Sequence, residues 1–126
     1  MKTKVPSLTA LPPHHSTGFY YHYKHDPARG IFDHAYLILG VGVHTEDKIE
    51  PEDQVMQVYY PLDPESFVYL LGSAADLRPN AMAMEEIEIG GKKIPRFRHV
   101  TDQELIKQFK ERLREMYPQT AECFAD

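Results

Sequence analysis

Cysteine is almost missing: the 126-residue chain has one, Cys123. That excludes an intramolecular disulfide framework and any zinc site needing two or more cysteines from this chain. Long apolar runs are missing as well, and none approaches the roughly 18 residues of a membrane span. Residues 1–17 lack an apolar h-region and are interrupted by Pro6, Pro12 and Pro13, so they do not read as a secretory leader. A reduced, cytoplasmic compartment is the expectation. Nucleophile and phosphate-cradle motifs are absent too: there is no G-x-S-x-G, no P-loop and no G-x-G-x-x-G. Gly40-Val41-Gly42 lacks the third glycine and the following helix. No cofactor is expected, and Cys123 has no base near it in sequence.

What is present describes an ordinary globular domain. Hydrophobic residues make up 42% and charged residues 26%, with 14 Lys or Arg against 19 Asp or Glu for a net charge of −5. Such a length and composition suit one core. Residues 1–17 hold little periodic apolar content and read as a flexible arm, unless the domain offers them a groove. Residues 18–118 read as a single β-rich domain, and 119–126 as a fraying tail.

Within the domain, Phe19 to Lys24 is an aromatic strand. Phe19, Tyr21 and Tyr23 share one face, and Tyr20, His22 and Lys24 the other. Ala35 to His44 is nearly continuous in apolar residues, as a central strand is. Gly40 and Gly42 within it suggest a bend or bulge. Gln54–Tyr60 is a third strand and Ser66–Leu71 a weaker fourth. Met82–Ile89 and Lys92–Phe97 flank Gly90-Gly91, the signature of a type I′ hairpin. Thr101 and Glu104 have capping-box spacing, and Leu105, Ile106, Phe109, Leu113, Met116 and Tyr117 form one apolar stripe, so 101–117 reads as a helix. The expected fold is mainly β (α+β): a small twisted antiparallel sheet or a partly closed SH3-like barrel with one C-terminal helix.

The polar residues offer several chemistries. Seven histidines are present, but their spacing gives no H-x-x-x-H on a helix and no H-x-H on a strand, so no metal site is expected. His44-Thr45-Glu46 sits where a buried strand emerges; His44 suits an acid, a base or a donor, and equally a solvated turn. Arg78 presents a planar fork for a carboxylate or phosphate, or for a structural salt bridge. Tyr20, Tyr21, Tyr23, Tyr36, Tyr59, Tyr60 and Tyr69 either pack the core or stack a planar ligand. Charge is segregated: residues 92–114 hold eight bases against three acids, and 44–65 seven acids against one base. At this net charge an extended nucleic-acid duplex is not an expected partner, and the charge asymmetry suits pairing within the monomer or across a homodimer.

The order Gly18-Phe19-Tyr20-Tyr21-His22-Tyr23-Lys24, His44-Thr45-Glu46, Val58-Tyr59, Arg78-Pro79 and Pro95-Arg96-Phe97 resembles DUF1653, a family of small bacterial proteins of unknown function. The resemblance covers residues 18–97. It departs at three places: Asp76 stands where members usually carry tryptophan, Ala83 where they carry phenylalanine, and Tyr60 where they carry arginine. It implies a fold type and candidate residues, and no activity.

The leading functional reading is a binding module without catalysis. Tyr21, Tyr23, His44, Thr45, Tyr59 and Arg78 would surround a shallow pocket for a small polar or anionic group: a nucleotide, a modified base or an acidic peptide end. One alternative is an enzyme using His44 as acid or base with Arg78 as electrostatic stabiliser. Another is an interaction domain without a pocket. The binding and enzyme readings require His44 and Arg78 to converge.

Overall fold

Strands form where aromatic and branched side chains recur, and hydrogen-bond register then sorts those side chains onto two faces. The computed structural model describes residues 10–46, 49–72 and 75–118. In chain order its elements are β1 (Gly18–His22), β2 (Ala35–Val43), β3 (Val55–Pro61), α1 (Phe67–Leu70), β4 (Asp76–Pro79), α2 (Asn80–Ala83), β5 (Glu86–Ile89), β6 (Lys92–Pro95), β7 (Phe97–His99) and α3 (Gln103–Met116). Five strands form one antiparallel sheet in the order β4-β3-β2-β1-β7, and β5 and β6 form a separate hairpin. The fold is therefore mainly β with a C-terminal helix, and the main sheet stays open at β4 and β7.

The two glycines of the hairpin have φ of +56° and +78°, the left-handed values a type I′ turn requires at both centres. The strand β2 is bent as its glycines suggest: its register with β3 shifts between Ile38 and Gly40, and Gly40 has φ +136°, a conformation costly for any other residue. Two segments differ from the sequence expectation. Residues 67–70 form a helical turn in place of a fourth strand, closed by the Leu70 N–H to Ser66 carbonyl bond at 2.9 Å. Asn80–Ala83 is likewise a helical turn, so β5 starts only at Glu86. The sequence's single last strand is also broken: Arg96 separates β6, in the hairpin, from β7, in the main sheet.

One face of the sheet carries Phe19, Tyr21, Ala35 and Leu37, and α3 docks there through Phe109, Leu113 and Met116. Its cap is Asp102, one residue later than expected: the carboxylate accepts the Glu104 and Leu105 backbone N–H groups at 2.9 and 3.1 Å. That satisfies two of the helix's orphan donors. The C-terminal end is pinned by the Tyr117 hydroxyl donating to the Pro61 carbonyl at 2.6 Å.

The opposite face carries Tyr20, Ile38, Tyr59 and Phe97. Residues 10–17, assigned by the sequence to an arm outside the domain, meet this face. The His15 ring lies 4.9 Å from that of Tyr20, and Asn80 Nδ2 donates to the Pro13 carbonyl at 2.9 Å. Residues 1–9 and the expected tail 119–126 lie outside the described residues. No helix among those described is long and apolar enough to cross a membrane.

Candidate functional site

Register builds the site. Tyr36 stands opposite Pro61, Tyr59 opposite Asp76 and Gln57 opposite Arg78, and His22 opposite Phe97. Cross-strand partners project to the same side, so Tyr36, Tyr59, Asp76, Arg78, His22 and Phe97 all lie on the face away from α3. Between them and the segment around α1 is a cavity of about 420 Å³, within the range of small-molecule sites. Its floor is a mutually perpendicular aromatic cluster, with the Tyr36 ring 5.1 Å from Tyr59 and the Phe97 ring 5.8 Å from Tyr59.

Three cations line this cavity: Lys24, Arg78 and Arg96. Arg96 is largely committed. Its Nε donates to the Met82 carbonyl at 3.0 Å and its Nη2 lies 3.5 Å from Glu85. Arg78 differs. Its Nε donates to the Tyr59 hydroxyl at 2.8 Å, and its Nη1 makes a long contact to the Met82 sulfur at 3.7 Å. No carboxylate of the described residues pairs with it within 4.0 Å. The Tyr59 bond holds the guanidinium pKa above its ordinary value. Burial raises the Tyr59 hydroxyl, and the Arg78 charge opposes that rise. The result is an oriented fork whose outer nitrogens remain available.

Asp76 is the complementary group. Its Oδ1 is buried with no hydrogen-bond partner in the protein. Burial raises its pKa, against the pull of Arg78. Burial also pushes the Tyr36 hydroxyl up to about 12, so that hydroxyl stays protonated.

His22 completes the wall. Burial, then the neighbouring His34, Arg96, Lys24 and Arg78, lowers its pKa from 6.5 to about 4. The ring is neutral at pH 7. Because Nδ1 accepts the Lys24 backbone N–H at 3.2 Å, the single proton sits on Nε2. The shift carries a stability consequence. Between pH 6.5 and 4 the unfolded ring takes up a proton that the folded ring refuses, so stability must fall as pH drops through that window. Allowing for the ring's partial exposure, His22→Asn should remove on the order of 1–2 kcal/mol of that loss. Urea midpoints of both proteins at pH 7 and 4.5 measure it. Parallel pH profiles would show that the ring is ordinarily solvated.

Of the six residues singled out by sequence, Tyr23, Tyr59 and Arg78 line the cavity. Tyr21 belongs to the α3 face, stacked 3.7 Å from His25 and edge-on to Phe109. His44 and Thr45 are exposed beyond the end of β2 and are not part of the cavity wall. Arg78 stands across from Gln57, and Gln57 across from Val41; His44 lies three residues further on. Its Nδ1 accepts the Glu46 backbone N–H at 3.2 Å, a local turn bond. No titratable side chain among the described residues is within hydrogen-bond reach of it. The structure therefore does not bring His44 to Arg78.

His22, Tyr36, Asp76 and Arg96 also line the cavity: the sequence marks Tyr36 only as a stacking tyrosine and Arg96 only as an anion fork, and it does not single out His22 and Asp76 as site residues. The signal for Asp76 was its i, i+2 spacing from Arg78, which places both on one strand face. Among the described residues, no three His, Cys, Asp or Glu side chains form a group able to hold a metal ion.

The sequence profile of the family described as "Protein of unknown function (DUF1653)" matches residues 18–99. The chain belongs to that family. No curated protein and no solved structure matches it.

Proposed function

We propose that this DUF1653 chain is a binding module that holds a small planar polar ligand in the cavity between β1, β3, β4 and α1. Arg78 donates to an acceptor oxygen of that ligand, and the aromatic side chains cover its ring. The observation that carries this reading is the Arg78 guanidinium, held through Nε by the Tyr59 hydroxyl and free of any carboxylate among the described residues. An unpaired, oriented fork beside an aromatic floor is the arrangement that recognition of an oxyanion or carbonyl needs. In this reading Tyr23, Tyr59 and Arg78, which line the cavity, remain candidate ligand contacts, and His44, Thr45 and Tyr21, which do not, take no part in it.

A thermal-shift and calorimetric screen of aromatic carboxylates, nucleosides and nucleoside monophosphates tests the proposal. At least one class should raise the melting temperature, and Arg78→Ala should abolish that rise in a chain that still unfolds cooperatively, at a melting temperature lowered by the lost Tyr59 bond. Loss of a hydrogen bond to a charged donor corresponds to roughly 1.5–3 kcal/mol of binding. Binding that persists in Arg78→Ala, or a screen without any shift, would remove this reading.

A further inference from the structure

We infer that the cavity reads the lactam edge of a nucleobase: Asp76 accepts from a ring N–H while Arg78 donates to the adjacent ring carbonyl. The inference rests on the binding proposal above and narrows it from any planar polar ligand to guanine- and uracil-type rings.

Three observations meet here. Asp76 and Arg78 are two positions apart on β4 and project to the same face, each opposite a β3 partner. A strand rises about 3.3 Å per residue, so their Cα atoms are separated by about 6.6 Å along it. Second, these opposite charges do not pair with each other within 4.0 Å. Tyr59 holds the guanidinium instead, and the carboxylate keeps a buried oxygen with no protein donor. A buried acceptor without a donor is costly, and a ligand N–H arriving beside the fork satisfies it. Third, both groups line the same cavity as the Tyr36–Tyr59–Phe97 cluster, and the largely exposed Phe67 lines it too.

These observations select among ligands. A simple carboxylate or phosphate satisfies Arg78 but repels Asp76. An aliphatic zwitterion satisfies both charges and leaves the aromatic walls unused. A lactam places one donor and one acceptor side by side in the plane of a ring, so one molecule meets the carboxylate, the fork and the aromatic surface. Adenine carries no carbonyl for Arg78. Hydrogen bonds to a base edge discriminate well, because the wrong edge leaves buried polar groups unpaired.

The experiment is an NMR and calorimetric titration of the full chain with uridine and guanosine. Each is compared with its blocked analogue, 3-methyluridine or 1-methylguanosine, and adenosine and benzoate are run alongside. Uridine or guanosine should bind with perturbation of the Tyr36, Tyr59 and Phe97 ring resonances. Methylation of the ring nitrogen should weaken binding at least tenfold. Asp76→Asn should weaken the nucleoside at least tenfold while leaving benzoate binding unchanged or stronger. Benzoate binding that depends on Arg78, with no nucleoside response, would overturn the lactam inference and leave the binding proposal standing. Equal affinity for a nucleoside and its methylated analogue, or for adenosine, would also overturn it. Absence of binding by every compound would overturn both. The methylated pairs need no variant, so the test survives a poorly folded Asp76→Asn.

Discussion

Replacing Phe109 with alanine should destabilise the fold by about 3–5 kcal/mol, the range for emptying a buried aromatic site. The ring is 0% exposed. It lies 5.5 Å from the Phe19 ring, 5.6 Å from Tyr21 in edge geometry and 5.7 Å from Phe32, so it joins β1, the loop before β2 and α3. A loss of this size is a large fraction of the roughly 5–15 kcal/mol that holds a domain together. Urea unfolding followed by circular dichroism measures it. Phe67→Ala is the control, because that ring is 73% exposed and its loss should be near neutral. A neutral Phe109→Ala would show that α3 is not what covers this face.

The helix was legible because fourteen residues give 3.6 periodicity room to show itself. The hairpin was legible because Gly90-Gly91 has few conformational alternatives. The short helical turns were not legible: over four residues such as Phe67-Val68-Tyr69-Leu70, periods of 2 and 3.6 cannot be told apart, and these side chains favour strands. The cap moved from Thr101 to Asp102 because both are good caps and adjacent. The site was half legible for a related reason. Alternation separates Tyr20 and His22 from Phe19 and Tyr21, but it does not say which set faces a cavity. Tyr23 reaches the cavity despite sharing the parity of Tyr21, because β1 ends at His22 and Tyr23 lies in a turn. His44 stood out for its position at a strand end, yet only cross-strand register shows which end of β2 the cavity occupies. Asp76 and Tyr36 acquire meaning only once β3 lies between them.

Removing residues 1–17 should lower the melting temperature by on the order of 10 °C or more, although their composition promises no core. The effect follows from what residues 13–17 cover. The Tyr20 hydroxyl donates to the Ser16 carbonyl at 3.0 Å. The Asn80 amide, on a residue 3% exposed, donates to the Pro13 carbonyl at 2.9 Å. Thr17 Oγ1 donates to the Leu39 carbonyl beside the β2 bulge. The His15 ring shields Tyr20 and Phe97, at 4.9 and 5.8 Å. Each lost hydrogen bond costs about 1 kcal/mol, and more where it leaves a buried group unpaired. Uncovering Tyr20 and Phe97 adds apolar exposure at about 25 cal/mol per Å². Together these reach roughly 2–4 kcal/mol, and in a domain near 100 residues each kcal/mol moves the midpoint by about 4–8 °C. His15→Ala should show part of the loss while keeping the backbone acceptors of Pro13 and Ser16. Phe97 is shared by the covered cluster and the cavity floor, so the truncated chain should also bind cavity ligands more weakly than the full chain. A truncated chain melting within about 2 °C of the full one would show that these contacts add nothing to the sheet face they touch.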